Sequence, residues 1–318
     1  DLSIIITSYK RAEKLKKIII ELINQIPKKH SYEIIISGDS KSNIKKILSK
    51  SVTSNIKIKF IRNIKNSNAI KRNTGIINAK GKNIILLDDD CIPQKNFIHN
   101  YLALFKVIKN KDIICGTVLY EKKFLKEKNF IRYRQSRHFI KKKNNLMRNK
   151  FLKPSKIVTM NMGFKNSRIL KTTNYFNEFF GNYGFEDYEF GFRLVQLGFR
   201  LLPATPSVIH LDERSFEYYL NKIYFLAVYG SPKLTKININ AWRNISYYKI
   251  ENNKIVNFFK KIKFSNNLSN LIVRFILLLE KMPFLYLPNV YKFAILLSYY
   301  KGYCDRKLKI KYNRKWYN

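Results

Sequence analysis

Three adjacent carboxylates are the strongest chemical feature of the sequence. Asp88, Asp89 and Asp90 directly follow the apolar run Asn83-Ile-Ile-Leu-Leu87, which predicts a strand. Ligands of parallel α/β sheets bind at the carboxyl ends of strands. Adjacent like charges repel one another unless a cation lies among them, and oxygen ligands suit Mg²⁺ or Mn²⁺. The triplet therefore predicts a divalent-metal site, with a solvated acidic turn as the alternative; the scarcity of acids in this chain favours the metal.

A second acidic motif, Gly184-Phe-Glu186-Asp187, begins a predicted helix over Asp187–Leu197. The N-terminus of a helix stabilises carboxylates, so ordinary capping is one interpretation. Capping needs only one of the two acids. The other is available as a general base that must stay ionised at neutral pH.

The elements that would position these acids follow a repeating pattern. Short β-branched runs alternate with longer amphipathic segments, which is typical of βα units on a largely parallel sheet. The predicted strands are Leu2–Thr7, Glu33–Ser37, Lys57–Ile61, Asn83–Leu87 and Asp112–Leu119. The predicted helices are Arg11–Gln25, Ser42–Ser49, Ala69–Ala79 and one near Asn96–Lys109.

The pattern changes after the fifth strand. Residues 121–156 are rich in Lys and Arg without clean periodicity, which predicts a long surface excursion, either a lid or acceptor clamp or a solvated loop. Strands are predicted again at Ile157–Phe164 and, briefly, at Val208–His210.

The chain beyond about residue 231 is basic and apolar and no longer alternates strands with helices. Leu268–Tyr303 predicts two apolar helices broken at Pro283 and Pro288. We therefore expect a catalytic domain over residues 1–230 and a helical extension over residues 231–318. The extension is interpreted as a membrane-interface or acceptor region, with a structural cap as the alternative.

Composition limits the functional classes. The 318 residues are 46% hydrophobic, which excludes an intrinsically disordered chain. Sixty-two basic against 21 acidic residues give a net charge of +41, so polyanions, anionic lipids and phosphorylated substrates are attracted. A basic nucleic-acid-binding protein and a metal-dependent nuclease are the alternatives to an enzyme acting on phosphorylated donors. No nucleic-acid-binding motif is present, so no nucleic-acid partner is expected.

The cysteines indicate a compartment. Cys91, Cys115 and Cys304 lack the spacing of a disulfide framework or a zinc site, which favours a reducing cytoplasm. No signal peptide or run long enough to cross a membrane is visible. We expect a cytoplasmic protein, in peripheral contact with the anionic inner face of the cytoplasmic membrane.

The order and spacing of the motifs resemble the family 2 glycosyltransferases with the GT-A fold, a Rossmann-like nucleotide-sugar-binding fold, over about residues 1–212. Ser3–Arg11 is similar to the family's first strand and nucleotide-facing loop, Glu33–Ser40 to its second strand, and Ala69–Gly81 to the helix beside the diphosphate. The Gly-x-Glu-Asp motif at Gly184 resembles the chondroitin-polymerase-type and galactosyltransferase-type enzymes. This chain has Tyr-Gly-Phe before the acidic pair where those enzymes usually have Trp-Gly-Gly.

The resemblance implies an inverting, metal-dependent transfer of Gal, GalNAc, Glc or GlcNAc from a UDP-sugar. The acceptor would be a hydroxyl of a glycan or lipid-linked glycan in bacterial surface polysaccharide synthesis. Asp187 is implied as the catalytic base and Glu186 as the residue that orients the acceptor. The implied metal ligands are Asp90 and His210, with Asp88 beside the metal or the ribose, and an imidazole beside a carboxylate favours Mn²⁺ over Mg²⁺. The implied donor contacts are Thr7, Tyr9, Arg11, Asp39 at the uracil, Lys71, Arg72, Asn73, Asp88 and Asp89.

Overall fold

The chain packs as two compact units. The computed structural model describes residues 2–27, 31–38, 56–138, 151–167, 174–181, 184–211, 214–253 and 266–309. The first unit comprises Asp1–Tyr120, His138–Asn182 and Glu186–Asp212. The second comprises Glu121–Arg137, Tyr183–Phe185 and Glu213–Asn318.

The first unit is an α/β structure built on one sheet. Its strands are β1 (Leu2–Ser8), β2 (Tyr32–Gly38), β3 (Ile56–Arg62), β4 (Asn83–Asp88), β5 (Cys91–Pro93), β6 (Asp112–Leu119), β7 (Asn161–Lys165) and β8 (Arg200–His210). Its helices of more than one turn are α1 (Ala12–Gln25), α2 (Asn68–Asn78), α3 (Phe97–Val107) and, later in the chain, α6 (Glu186–Gln196).

The strands lie in the order β3-β2-β1-β4-β7-β6-β8-β5. Strand β1 pairs in parallel with β2 and β4, β2 pairs in parallel with β3, and β6 pairs in parallel with β8. Strand β7 is antiparallel to both β4 and β6, and β5 is antiparallel to β8. The mostly parallel α/β architecture expected from the alternating pattern is confirmed.

The pattern of apolar and charged residues in each strand matches its burial in the sheet. Every residue of β1 is buried, and β4 buries its Ile and Leu run, because helices cover both faces of a parallel sheet. Strand β3 lies at the end of the strand order and alternates Ile with Lys. Charged side chains on an edge strand oppose pairing with other chains.

Two predicted strands need correction. The strand expected over Ile157–Phe164 spans Asn161–Lys165, and the short strand expected at Val208–His210 begins at Arg200. The sequence argues against a long strand here because Pro203 and Pro206 have no backbone N–H to donate to a neighbouring strand. The pairing of β6 with β8 shifts register between Cys115 and Thr117, and the amide of Asn161 donates to the carbonyls of Thr117 and Pro206, 3.0 and 2.9 Å away.

The second unit is helical. Its helices are α4 (Lys122–Glu127), α5 (Asn129–His138), α7 (Phe216–Phe225), α8 (Ser231–Ile237), α9 (Ile239–Asn244), α10 (Ser246–Asn252), α11 (Asn266–Glu280) and α12 (Pro288–Lys307). A π-helical turn, Leu226–Gly230, joins α7 to α8. The two helices expected in the C-terminal segment are confirmed as α11 and α12.

The expectation of an irregular excursion over residues 121–156 is wrong for its first part, which forms α4 and α5. Phe130 and Tyr133 of α5 are buried in the core of the second unit, with Leu220, Tyr224 and Val273. Charged neighbours obscure this apolar face in the sequence. Residues 139–150 lie outside the described part of the chain.

Helix α7, which precedes the expected domain boundary near residue 230, belongs to the same core. Phe216 and Leu220 of α7 pack with Tyr291 and Leu297 of α12, so the contacts divide the chain near residue 212, whereas the sequence suggests a boundary near residue 230. No helix in the described parts of the chain is long and apolar enough to cross a membrane.

Candidate active site

Strand pairing places the acidic triplet, residues 88–90, next to His210, the other predicted metal ligand. In the β1–β4 register Thr7 lies opposite Asp88, and its hydroxyl donates to Oδ1 of Asp88 at 3.0 Å. Beyond β4 the chain turns into the short strand β5, in which Cys91 pairs with His210 of β8. The backbone N–H of Leu211, the residue after His210, donates to the carbonyl of Asp90 at 2.7 Å.

Asp90, Cys91 and His210 form a buried cluster whose ligand atoms all lie within 4.8 Å of one another. Nε2 of His210 is 3.3 Å from Oδ1 of Asp90. Two ligands at right angles around a divalent ion, each about 2.1 Å from it, lie about 3 Å apart, so this pair fits one ion. Nδ1 of His210 is 3.4 Å from the hydroxyl of Tyr120, a contact that orients the ring.

The third member of the cluster, Cys91, is a buried thiol. Burial, followed by the charges of Asp90 and Asp88, raises the pKa of the Cys91 thiol well above its ordinary value. Without a metal the thiol is therefore protonated, and a bound ion would itself favour the thiolate. The remaining carboxylate and imidazole donors suit Mn²⁺ better than a purely oxygen-seeking cation. The residues present fit a divalent metal.

Arg72 connects the triplet to the second acidic motif. Its buried guanidinium lies 2.6 Å from Oδ1 of Asp187, 3.4 Å from Oδ1 of Asp88 and 3.6 Å from Oε1 of Glu186. Cζ of Arg72 lies over the ring of Phe176, 5.3 Å from its centroid. Burial by itself lowers the pKa of Arg72, but the carboxylates of Asp187, Asp88 and Glu186 raise it above the ordinary value, so the cation persists.

The two acids at the start of α6 have different environments. The Asp187 side chain is 38% exposed, and its Oδ2 accepts a hydrogen bond from the Thr159 hydroxyl at 2.9 Å. Glu186 is only 10% exposed at its side chain. Burial, and then the charge of Asp187, raises the pKa of Glu186 above its ordinary value. Asp187 is the acid that an incoming hydroxyl can reach, and Glu186 is the acid that more readily keeps its proton.

Asp89 braces the loop after β1. Its carboxylate accepts from the backbone N–H of Tyr9 and from Nη1 of Arg11, each at 2.7 Å. The same Nη1 lies 2.6 Å from Oδ2 of Asp90. Burial raises the pKa of Asp89 to about 6, although Arg11 and the Tyr9 N–H favour its ionised form. Of these residues Tyr9 presents an exposed aromatic ring.

The other predicted donor contacts, Lys71, Arg72 and Asn73, are consecutive buried residues of α2. Nζ of Lys71 lies 2.7 Å from Oδ1 of Asn66 and 4.8 Å from the centre of the Tyr9 ring. The Asn73 amide donates to the carbonyl of Phe176 and to Oε1 of Glu178, at 2.8 and 2.9 Å. Asn73 therefore holds the segment around Phe176, while Lys71 lies beside the loop after β1.

Some residues of this site were not expected from the sequence, and one expected residue is not described. Asp39, the predicted uracil contact, lies outside the described residues. Asp88 is not in the described metal-capable cluster and instead contacts Thr7 and Arg72. Sequence reasoning missed Thr159, because a hydroxyl ahead of a strand carries no recognisable signal. It also missed Cys91, although its position directly after the triplet was available.

Comparison with known proteins bears on the family and the fold of the chain. Residues 3–168 match the model of the Glycosyl transferase family 2. No curated protein sequence matches the chain.

Solved structures share its fold at low identity. A mannosyltransferase from Pyrobaculum calidifontis, in complex with GDP-Man and Mn²⁺, has a TM-score of 0.59 at 10% identity, covering 98% of this chain and 88% of that one. S. aureus TarS 1-349 in complex with UDP-GlcNAc has a TM-score of 0.51 at 13% identity, covering 98% and 93%. GalNAc-T7 with UDP, GalNAc and Mn²⁺ has a TM-score of 0.50 at 15% identity, covering 78% of this chain and 57% of that one. The shared architecture is the GT-A fold.

Proposed function

The chain belongs to glycosyl transferase family 2, and we propose that it transfers a sugar from a UDP-sugar to a hydroxyl of a glycan or lipid-linked glycan, with inversion at the anomeric carbon and with a divalent metal. The observation that carries the proposal is the network around Arg72. One buried guanidinium joins an acid of the triplet, Asp88, to the acidic pair Glu186 and Asp187.

The donor binds at the carboxyl ends of β1 and β4. Tyr9 offers an exposed ring on which a base can stack, and Thr7 and Asp88 face each other across the two strands. Lys71, beside the Tyr9 ring, supplies positive charge that a diphosphate requires, whereas the charge of Arg72 is balanced by its three carboxylates. Asp89 acts indirectly, by holding Tyr9 and Arg11 in place.

Asp90 and His210 hold the metal. A bound divalent cation neutralises the charge that develops on the departing diphosphate. Nη1 of Arg11 lies 2.6 Å from Oδ2 of Asp90 and keeps the carboxylate oriented. Tyr120 orients the imidazole of His210 from the other side. The chemistry of these donors favours Mn²⁺ over Mg²⁺.

Asp187 accepts the proton of the acceptor hydroxyl. Arg72 and Thr159 each hold one of its oxygens, so the carboxylate is presented in a fixed orientation. Glu186, which keeps its proton more readily, donates a hydrogen bond that orients the acceptor. Attack on the face opposite the diphosphate inverts the anomeric centre.

The finer assignments rest on motif resemblance. The Gly-x-Glu-Asp motif supports a transferase of the chondroitin-polymerase or galactosyltransferase type, with Gal, GalNAc, Glc or GlcNAc as the transferred sugar. A role in bacterial surface polysaccharide synthesis accords with a glycan acceptor.

Thermal unfolding with nucleotide tests the proposal. UDP plus Mn²⁺ should raise the melting temperature more than Mn²⁺ alone, because a ligand at 100 times its Kd stabilises the native state by about 2.7 kcal/mol. Asp90→Ala and His210→Ala should lose the metal-dependent part of this stabilisation. Cys115→Ser, at a buried cysteine outside this cluster, is the matched control and should keep it.

The outcomes separate the alternatives. Stabilisation by a single-stranded oligonucleotide but not by UDP would overturn the transferase in favour of a nucleic-acid-binding protein. Unchanged Mn²⁺ dependence in either ligand variant would reject that residue as a ligand.

A further inference from the structure

Helix α11 of the second unit carries an exposed apolar stripe. Leu271, Phe275 and Leu278 are 66, 60 and 59% exposed, and Met282, just past the end of the helix, is 40% exposed. The three helical residues follow one another at intervals of four and three residues, the spacing that places side chains on one face of a helix. We call the stripe they form the outer face of α11.

The outer face is not needed for the unit's own core. The opposite side of α11 buries Val273 and Ile276 among the aromatic and aliphatic residues of α5, α7 and α12. A surface helix normally places polar residues on the side away from its core. A contiguous apolar surface on a soluble unit marks a contact with a partner or a lipid surface.

The apolar surface extends past the end of the helix. Phe284, in the turn after α11, is 82% exposed, and Leu287 is 42% exposed. At the start of α12, Phe293 and Leu296 are 49 and 42% exposed. Large aromatic and aliphatic side chains are thus concentrated over one short stretch of chain.

Two exposed cations, Arg274 and Lys281, lie next to the stripe in the sequence, and neither forms a salt bridge with any described residue. They line a surface pocket together with Leu278, Glu217 and Glu280. Their long aliphatic stems can lie along apolar surface while the charged ends reach outward. From residue 271 to residue 309 the chain has seven basic and two acidic side chains.

Both acids of this stretch are engaged inside the unit. Glu280 accepts from the backbone N–H of Phe130 and from the hydroxyl of Tyr291. Asp305 pairs with Lys301 and accepts from the Tyr224 hydroxyl. No acid of the stretch therefore neutralises the two cations beside the outer face.

We propose that the outer face of α11 lies in the interfacial layer of an anionic lipid bilayer, with the helix parallel to the membrane plane. Apolar side chains flanked by cations match lipid tails beneath negatively charged headgroups. The helix is 15 residues long, about 22 Å, which is shorter than the roughly 30 Å hydrocarbon core of a bilayer, so the contact is in-plane. The proposal does not depend on the chemistry assigned to the first unit.

Vesicle sedimentation with the full chain tests the proposal. The protein should bind vesicles of equal parts phosphatidylglycerol and phosphatidylcholine, and part of this binding should persist at about 1 M salt, where the Debye length is about 3 Å. The variant Leu271→Gln/Phe275→Gln/Leu278→Gln should bind more than tenfold more weakly, and at high salt its binding should disappear. Arg274→Gln/Lys281→Gln should weaken binding about thirtyfold at low salt, since each cation contributes about fivefold, and should leave the high-salt binding unchanged.

Val107→Gln, at an exposed apolar position of α3, is the matched control and should bind like the parent. The triple variant should keep the parent's melting temperature and its response to UDP and Mn²⁺, because the substituted side chains are exposed. Equal vesicle binding by the triple variant and the parent would overturn the proposal. So would a parent that ignores vesicles but forms a dimer which the triple variant abolishes, because a second copy would then cover the face.

Discussion

At the residue scale, Arg72 shows how a buried cation can be stable. A buried charge is costly unless it is paired, and Arg72 is surrounded by Asp88, Glu186 and Asp187. Each of these acids has another part in the proposed reaction. The same contacts that offset the burial of the guanidinium also hold the base and the donor-side acid in a fixed relation.

Asp187→Asn should lower the catalytic rate by about 10²–10⁴-fold, the range typical of lost general-base catalysis, because an amide cannot accept the hydroxyl proton. UDP affinity should change little, since the side chain keeps its size. Steady-state kinetics and UDP calorimetry would measure the two effects. Glu186→Gln is the paired control and should act mainly on the acceptor KM. Near-normal turnover in the Asn variant would assign the base elsewhere, with Glu178 as the next candidate.

At the element scale, α2 must approach β1 closely to bring Lys71 and Arg72 to the strand ends. A Cβ on Gly75 would lie 2.2 Å from Cγ2 of the buried Ile5. Only glycine therefore permits this distance between helix and strand. Ser67 caps the helix by accepting a hydrogen bond from the Ile70 N–H, which fixes where α2 begins.

Gly75→Ala should destabilise the protein by about 1–3 kcal/mol, because the added methyl overpacks the contact with Ile5. Urea unfolding would measure the change. Ile77→Ala, at a position 69% exposed, is the control and should be nearly neutral. In a chain with Ile5→Ala the cost of Gly75→Ala should shrink; additive costs would show that the two sites do not touch.

The stability of the protein should depend on pH through Glu280 of α11, which accepts hydrogen bonds from α5 and α12. Burial raises the pKa of Glu280 above its ordinary 4.5, although Tyr291 and the Phe130 N–H favour its ionised form. The folded state therefore holds this proton at higher pH than the unfolded state does. The stabilisation is complete below pH 4.5 and is lost as pH rises through the folded pKa.

Glu280→Gln keeps an acceptor oxygen but cannot ionise. Its stability should consequently fall less than that of the parent as the pH is raised from below 4.5 to neutral, measured by urea unfolding along the series. Glu280→Ala, which loses the acceptor, should be less stable at every pH. Parallel curves for the parent and the Gln variant would contradict the assignment.

At the scale of the whole molecule, the chain order and the packing order differ. Residues 121–137 lie between two parts of the first unit in the sequence, but they belong to the second. Helix α7 likewise precedes residue 230 and packs with α11 and α12. A cut in the sequence near residue 230 would therefore divide one hydrophobic core.

A chain ending at Gly230 should aggregate or expose a dye-binding apolar surface. It would leave Phe130, Tyr133, Phe216 and Leu220 without the cover of α11 and α12. Size-exclusion chromatography and binding of a hydrophobic dye would measure this. The triple variant of the outer face of α11 is the control and should remain folded. A truncated chain that is monomeric and binds UDP like the parent would show that the second unit tolerates loss of its core.

The sequence by itself determined much of the first unit. Strands β1, β2, β4 and β6 have continuous apolar, β-branched runs and β3 alternates Ile with Lys, so their positions could be predicted from local sequence. The acids at positions 88–90 and 186–187 and the histidine at 210 stood out because acids and histidines are scarce in a chain this basic.

Tertiary structure decided what depends on distant pairing. Strand β8 continues through Pro203 because its pairing with β6 shifts register there and because the Asn161 amide donates to the carbonyls of Thr117 and Pro206. Thr159 reaches Asp187 only because the fold brings residues 28 positions apart together. Helix α5 joins the second unit because Phe130 and Tyr133 fit a core assembled mainly from residues far later in the chain. The local sequence pattern indicates which residues are buried, but only the assembled fold determines which residues they pack against.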